Sequence, residues 1–307
     1  MLWDPHVLAR VRRLHLKARY LTSALMQGEH RSIRVGQAVE FAGYDEYQPG
    51  MDLRFLDWKV WGRSDQLVTR RFEAETELPT TVVLDLSGDL ATGDPKDGDF
   101  PDLESSKAGY AITLAATLLY FFHLHGEPVG MEVLAGEGLS YRSMPARGGR
   151  NQLHQLFLGL ASAKPGGQAQ LEDALIRVGR RTRRRSLVMI ISDGMEEPAQ
   201  WLGALSAFAK RKSEVRFFHL WDQREWDLAF NKPALFYSPE GGETLAVDPA
   251  AARISFQRVA EEYVEEVRAG VTRWGGRYVP ARSNESMETT IRNGLAVRYI
   301  EQARVRR

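Results

Sequence analysis

The chain opens with a helical pattern and, after about eighty residues, changes to an alternation of strands and helices. Apolar residues recur at helical spacing from Val7 to Leu25, which predicts a first helix that ends before Gly28. Residues 30–78 lack such a period and are short, charged and dotted with aromatic side chains, with a turn predicted at Tyr47-Gln48-Pro49-Gly50. From Pro79 onward, apolar runs of strand length alternate with longer helical patterns.

These alternating elements predict the fold class. Strands are predicted at Thr80–Leu86, Val129–Leu134, Leu139–Tyr141, Ser186–Ile191, Val215–Leu220 and Arg277–Val279, with a hairpin signal after Leu134 and a second hairpin within Ala234–Val247. Helices are predicted at Ser105–Phe122, Asn151–Ala161, Leu171–Val178, Pro198–Lys210, Pro249–Trp274 and Met287–Ile300. Apolar strands that alternate with helices are typical of an α/β fold with a doubly wound, mostly parallel sheet.

The composition is that of an ordinary globular protein and removes several function classes. Among 307 residues, 41 Lys and Arg balance 40 Asp and Glu, which argues against a nucleic-acid binder held by bulk positive charge. The absence of Cys excludes disulfides, thiol nucleophiles and Cys-ligated zinc. The longest apolar run, Tyr110 to Phe122, is shorter than the roughly 20 residues of a bilayer span. With no signal-peptide pattern visible, we expect a cytoplasmic protein without membrane insertion.

Charge is spread unevenly along the chain. Residues 85–104 carry seven Asp and Glu against one Lys, and residues 177–185 hold six arginines in nine positions. The arginine cluster fits either a solvated helix face or a docking patch for an acidic partner.

Acidic and hydroxyl side chains follow two of the predicted strands. Asp85, Ser87 and Asp89 come at the end of the first buried strand, and Ser192-Asp193 ends a later one. Ligands of parallel sheets bind beyond the carboxyl ends of the strands, where the strand order reverses. Magnesium prefers oxygen ligands, usually one or two carboxylates with waters. We therefore expect Asp85, Ser87, Asp89 and Asp193 to meet at this edge, in a site that could hold Mg²⁺.

Two patterns in the chain resemble known families. The spacing of Asp85 and Ser87 after one strand, with Asp193 after another, resembles the metal-ion-dependent adhesion site of von Willebrand factor A domains. An upstream signature consists of Glu40-Phe41, the run from Tyr47 to Trp58, and Arg63, Leu67, Phe72 and Glu75. It resembles the bacterial domain-of-unknown-function family fifty-eight, whose pattern runs E-F…Y-x-P-G-D-D-x-R-x-I-D-W…A-R…L…F…E, and the resemblance covers about residues 20–240.

The resemblance implies a von Willebrand factor A-like fold. It also implies a partnership with MoxR-type AAA+ ATPases, in systems that mature, activate or insert metals into client proteins. Three positions depart from the expected pattern: Met51 replaces an Asp of the signature, Asp89 replaces a Ser of the adhesion site, and Ala169 replaces its Thr. An Ala side chain cannot ligate an ion. Either a cation relieves the repulsion among the three aspartates, or Asp89 turns outward and the site is vestigial.

The signature segment carries six residues that we interpret as a structural polar network: Asp52, Arg54, Asp57, Trp58, Arg63 and Glu75. Buried charges need hydrogen-bonded partners, which the pairs Arg54–Asp57 or Arg63–Glu75 would supply. Trp58 and Trp61 are expected to cover these pairs. The alternative is an active centre built from Asp52, Arg54, Asp57 and Trp58.

No motif in the sequence identifies an enzyme. There is no nucleophile elbow, phosphate loop or dinucleotide fingerprint, and the seven histidines form no metal-binding pattern. We therefore predict a non-enzymatic interaction module that works with a MoxR-type AAA+ ATPase on a client protein. The alternative is a magnesium-dependent phosphatase or hydrolase with Asp85 as nucleophile, although Ser87 occupies the second acidic position of such a motif.

Two segments are expected in the domain organisation. Residues 1–78 would hold the N-terminal helix and the signature, and residues 79–300 would form the α/β domain, the two making one compact unit.

Overall fold

The computed structural model describes residues 5–27, 40–49, 51, 56–73, 77–91, 106–136, 143–228, 234–236 and 244–295. It divides the chain into two compact units, residues 1–30 with 78–307 and residues 31–77. The first helix thus groups with the α/β unit, whereas the sequence analysis placed it beside the signature segment.

The elements are numbered in chain order. The strands are β1 (Glu40–Glu46), β2 (Val68–Glu73), β3 (Thr80–Asp85), β4 (Val129–Leu134), β5 (Ser143–Arg147), β6 (Leu187–Ser192), β7 (Glu214–Trp221), β8 (Ala234–Phe236), β9 (Leu245–Val247) and β10 (Arg277–Arg282). The helices are α1 (Pro5–Gln27), α2 (Trp58–Ser64), α3 (Lys107–Leu124), α4 (Arg150–Ser162), α5 (Leu171–Arg181), α6 (Pro198–Trp201), α7 (Ser206–Ala209), α8 (Gln223–Asp227), α9 (Pro249–Arg273) and α10 (Met287–Leu295).

The α/β unit is built on a six-stranded sheet in the order β10-β7-β6-β3-β4-β5. All neighbouring strands in this sheet pair in parallel except β4 and β5, which form an antiparallel hairpin. The predicted α/β class with a mostly parallel sheet is confirmed. Within the sheet, β4 lies next to β3 on one side, whereas β6 and then β7 lie on the other side of β3. The carboxyl ends of β3 and β6 therefore flank the point where the strand order reverses.

Successive side chains of the central strands alternate between two buried faces. Val83, Ile190 and Phe217 join one hydrophobic cluster with residues of α5, α6, α7 and α9. Helix α3 covers the opposite face and is itself covered by α1 and α4. Fifteen of its eighteen residues are buried, because it lies between the sheet and other helices. The apolar run from Tyr110 to Phe122 is thus a core helix of this unit.

Most predicted elements are found with small shifts of their ends, and two predictions need comment. The prediction of a single helix over Pro198–Lys210 was wrong, since this segment is divided into α6, a 3₁₀ turn at Leu202–Leu205, and α7. The hairpin after Leu134 exists, but its second described strand is β5, and the expected strand Leu139–Tyr141 lies outside the described residues. The β8–β9 hairpin is confirmed.

In its described residues, the smaller unit contains an antiparallel pair of strands and one short helix. Strands β1 and β2 pair with a register irregularity between Phe41 and Gly43, and α2 lies between them in the sequence. Asp57 begins α2 as its N-cap and accepts hydrogen bonds from the backbone N–H groups of Lys59 and Val60, at 2.9 and 3.3 Å. These bonds satisfy backbone donors that have no partner inside the helix.

The two outer strands of the six-stranded sheet each contain a proline. Pro145 lies in the middle of β5, and Pro280 lies in β10 beside His219 of β7. Both prolines are exposed. Proline lacks a backbone N–H, so it is tolerated in a sheet at such outer positions.

Gly130 should be essential to the β4–β5 hairpin. A Cβ at this position would lie 2.5 Å from the backbone nitrogen of Ala146 and 2.6 Å from the carbonyl oxygen of Met144. We expect Gly130→Ala to lower the free energy of unfolding by about 1–3 kcal/mol, measured by urea denaturation. The control is Gly148→Ala, because a Cβ there meets nothing within 4 Å. Equal losses in the two variants would contradict this explanation.

Candidate buried ionic centre at the sheet edge

The buried ionic centre consists of Asp85, Asp193 and the charged side chains around them, and the pairing of β3 with β6 places it. The two strands run in parallel with Leu84 opposite Ile191, so Asp85 and Ser192 end side by side at the carboxyl edge of the sheet. Asp193 follows directly, and Gly194 then turns the chain with a φ of 60°, a conformation that glycine adopts without strain. The strand ends thus bring both predicted aspartates together.

Asp85 is almost fully buried and has a hydrogen bond on each carboxylate oxygen. The backbone N–H of Ser87 donates to Oδ1 at 2.9 Å, and the hydroxyl of Ser192 donates to Oδ2 at 2.7 Å. Ser192 Oγ in turn accepts from the backbone N–H of Gly194 at 2.9 Å. Burial and the nearby charge of Asp193 raise the pKa of Asp85 to about 7, although these hydrogen bonds oppose the rise.

Asp193 is paired with a lysine that the sequence analysis missed. The ammonium of Lys107, the first residue of α3, donates to Asp193 Oδ2 at 2.8 Å and to the two carboxylate oxygens of Glu225 at 3.0 and 3.2 Å. The side chains of Lys107 and Asp193 are each only 2% exposed. Burial lowers the pKa of Lys107, but the charges and hydrogen bonds of its two partners raise it by a larger amount. The pKa of Lys107 therefore lies above its ordinary value.

Asp89 lies in the 3₁₀ turn that follows β3 and is half-buried. Burial, followed by the charge of Asp193, raises the pKa of this carboxyl, whereas the charge of Lys107 lowers it. Asp89 therefore belongs electrostatically to the same centre. Ser87 is buried, and its backbone N–H contributes the hydrogen bond to Asp85. All four predicted site residues are thus found at one edge.

A buried histidine supports the backbone of the centre from the next strand. His219 of β7 lies opposite Ser192, and its Nε2 lies 2.9 Å from the carbonyl oxygen of Asp193 and 3.2 Å from the indole nitrogen of Trp221. Its Nδ1 forms a hydrogen bond with the hydroxyl of Tyr278 at 2.9 Å. Burial lowers the pKa of His219 to about 4, so the ring is neutral near pH 7. This histidine fixes the position of Asp193.

Backbone hydrogen bonds join the loops around the centre. The N–H of Gly88 donates to the carbonyl of Gly167, and the N–H of Gly166 donates to the carbonyl of Leu86, both at 2.9 Å. Ala169, a few residues further on, is half-buried and packs against the hydrophobic core. It supplies a methyl group to the core and no oxygen to the centre.

The arrangement does not fit Mg²⁺. An ion near Asp193 would lie close to the ammonium of Lys107. At 4 Å, two unit charges repel by about 4 kcal/mol at an effective dielectric constant of 20, and a divalent ion would double this. In the part of the chain that the structure describes, no group of three or more His, Asp or Glu side chains is arranged to hold a metal ion.

The polar network predicted for the signature segment needs correction. Asp57 is buried as expected, and the hydroxyl of Tyr44 donates to it at 3.1 Å. Trp58 is 59% exposed and Arg63 is exposed, so neither belongs to a buried network, and Trp61 is exposed as well. These residues lie on a short helix that has no buried residue. The remaining predicted members, Asp52, Arg54 and Glu75, lie outside the described residues.

The arginine cluster joins a second basic segment at the opposite edge of the sheet. The backbone N–H of Arg185 donates to the carbonyl of Arg211 at 3.1 Å, which connects the turn before β6 with the turn before β7. Arg180, Arg184, Lys210 and Arg211 line a groove of about 640 Å³. We call this region, residues 177–185 with 210–212, the basic surface.

Together these features define an α/β protein whose sheet edge carries a buried ionic centre. Residues 43–266 match the family described as "Protein of unknown function DUF58", and the chain belongs to this family. The uncharacterized proteins Mb1516 of Mycobacterium bovis and Rv1480 of Mycobacterium tuberculosis are each 28% identical over 286 residues. Each alignment covers 92% of this chain and 86% of the relative.

A comparison with solved structures gives two weak similarities. BatB from Bacteroides thetaiotaomicron has 17% identity and a TM-score of 0.43, over 71% of this chain and 97% of that one. An aerotolerance-related membrane protein from Bacteroides fragilis has 17% identity and a TM-score of 0.39, over 70% and 98% of the two chains. In this chain, none of the described helices combines the length and apolar character needed to cross a membrane.

Lys107 and Glu225 were missed although each has a weak signal in the sequence. Lys107 is the one charged residue at the start of the most apolar helix, where the helix dipole disfavours a cation. Glu225 forms a capping box with Asp222 directly after β7, which marks a third strand end with acidic residues.

The stability of the protein should depend on pH through Asp85. Because its folded pKa is about 7 and its ordinary value is 3.8, the folded state binds this proton more tightly. The carboxyl therefore destabilises the fold progressively as pH rises from about 4 to 7. We expect Asp85→Asn to gain stability relative to the wild type over this range, by a few kcal/mol at most, in urea titrations at pH 4.5 and 8.

His219 is present in both the wild type and Asp85→Asn, and its lowered pKa makes the fold less stable as pH falls. The difference in unfolding free energy between the two proteins therefore reports on Asp85 alone. Parallel pH profiles for wild type and Asp85→Asn would show that Asp85 titrates normally.

Proposed function

We propose that this protein is a non-enzymatic interaction module that works with a MoxR-type AAA+ ATPase in the maturation or activation of client proteins. The observation that supports this function is the state of the two strand-end aspartates. Asp85 and Asp193 are each 1% exposed and are engaged by hydrogen bonds or an ammonium group. Carboxylates held in this way are poorly placed to attack a substrate or to accept its proton. Their contribution is to the shape of the sheet edge.

The same proposal includes a von Willebrand factor A-like fold with a degenerate adhesion site. Three features support it: the mostly parallel sheet, the meeting of Asp85 and Asp193 where the strand order reverses, and the backbone hydrogen bonds of residues 86–88 with residues 166–167. Ala169 and Lys107 are the features that make the site degenerate, because the first removes an oxygen and the second adds a cation.

We propose that docking occurs on the surface that surrounds the buried centre. Gln168 and Met195 are exposed, and Asp89 is half-buried. Gln168 follows Gly167, whose carbonyl accepts from the N–H of Gly88, and Met195 lies two residues after Asp193.

Backbone hydrogen bonds connect the loops of Asp89 and Gln168, and the backbone N–H of Leu171 donates to the side chain of Glu196, next to Met195, at 2.8 Å. Because these segments are held together before a partner binds, little conformational entropy is lost on binding. The cytoplasmic location and the identity of the client stay predictions.

Co-purification with a tagged MoxR-type AAA+ ATPase tests the proposed partner. We expect enrichment over an unrelated domain, and we expect Met195→Glu to reduce it at least tenfold because a charge is placed in the docking surface. Two matched variants locate the contact: Arg180→Glu/Arg184→Glu on the basic surface, and Ile254→Glu on the exposed face of α9.

Retained binding in both matched variants supports docking at the carboxyl edge of the sheet. Loss of binding only in the basic-surface variant would move the contact to the opposite end of the sheet. No enrichment of the wild type, with or without nucleotide, would count against the partnership itself.

A phosphatase assay with p-nitrophenyl phosphate and Mg²⁺ tests the alternative function. Because Asp85 is buried and hydrogen-bonded on both oxygens, we expect no turnover above background for the wild type or for Asp85→Asn. Magnesium-dependent turnover that disappears in Asp85→Asn would establish Asp85 as a nucleophile and refute the non-enzymatic proposal.

A further inference from the structure

The position of Lys107 is unusual for a lysine. It is the first residue of α3, directly after the N-cap Ser106, whose hydroxyl oxygen accepts from the backbone N–H of Gly109 at 2.9 Å. The N-terminal end of a helix carries partial positive charge, which repels a cation. A lysine that is also buried here requires a strong compensating interaction, and that compensation must come from other elements.

The compensation comes from two carboxylates on separate elements. Lys107 donates to Asp193 after β6 and to Glu225 on α8, so its ammonium contacts three carboxylate oxygens. The backbone N–H of Asp222 also donates to Glu225, at 3.2 Å, which holds that carboxylate in place. The ammonium thus connects the start of α3, the end of β6 and the turn after β7.

A metal ion placed between Asp193 and Glu225 would meet the same carboxylate oxygens that Lys107 contacts. It would neutralise these two carboxylates and join the segments that carry them. The lysine performs both tasks with one covalently attached charge.

We infer that Lys107 is a tethered cation that takes the place of a divalent metal ion, so that the sheet edge of this protein is assembled without metal. The inference has a second part. Removal of the ammonium group would leave Asp193 and Glu225 without the cation they share, and one or two carboxylates completed by waters are the ligands that a small divalent cation takes. Both parts concern this chain alone and do not depend on the proposed partner.

Thermal unfolding and Mn²⁺ binding test the inference. For the wild type, we expect the same Tm, within about 1 °C, in 5 mM MgCl₂, in 5 mM MnCl₂ and in EDTA, and no Mn²⁺ binding below millimolar concentration by electron paramagnetic resonance. For Lys107→Ala, we expect a lower Tm that Mn²⁺ partly restores, with Mn²⁺ affinity at least tenfold above that of the wild type.

Three further variants serve as controls. Lys107→Ala/Asp193→Ala should lose the acquired affinity, because a principal ligand is gone. Lys107→Met fills the space without the charge and should be destabilised without rescue by Mn²⁺. Val83→Ala, a core variant on β3, shows whether Mn²⁺ rescues any destabilised form.

The outcomes are distinct. Sub-millimolar Mn²⁺ binding by the wild type, or a Tm that falls in EDTA, would overturn the inference even if every Lys107 variant failed to fold. Equal Mn²⁺ affinity in the wild type and Lys107→Ala would overturn its second part.

Discussion

The buried ion pair between Lys107 and Asp193 is the interaction on which the sheet edge depends. Either charge alone in this position would cost several kcal/mol of desolvation, so each is tolerated only because the other is present. The pair joins segments that are 86 residues apart in the sequence, and Glu225 extends it to a third. The shape of the edge is therefore a property of tertiary structure, and its disruption would affect several loops at once.

The sequence was sufficient to predict the sheet and the convergence of Asp85 with Asp193. Parallel neighbours end at the same edge, so two apolar runs that each end in an aspartate bring the carboxyl groups together whenever the strands are adjacent. The antiparallel β8–β9 hairpin could also be predicted from the sequence, because turn residues separate two short strand-like segments that lie close together in the chain. In both cases the determining information is local in the sequence or follows from the regular geometry of a sheet.

The remaining features depend on contacts that no local pattern encodes. Lys107 is a single charged residue before a long apolar helix, and nothing in its neighbours reveals that a carboxylate 118 positions away will meet it. Trp58 and Trp61 were expected to cover charged pairs because large aromatic side chains are often buried, yet both lie on an exposed helix. The break between α6 and α7 likewise occurs within a continuous helical pattern, where packing against α5 and α9 overrides the local preference.

The prolines in the two outer strands have a consequence for how any protein can bind this sheet. A visiting peptide that adds itself as a further strand needs a continuous row of backbone donors and acceptors. Pro145 and Pro280 interrupt that row on both sides of the sheet, since neither offers an N–H. β-augmentation is thereby discouraged, along with uncontrolled edge-to-edge aggregation. Recognition is left to side chains on loops and helices, where it can be specific.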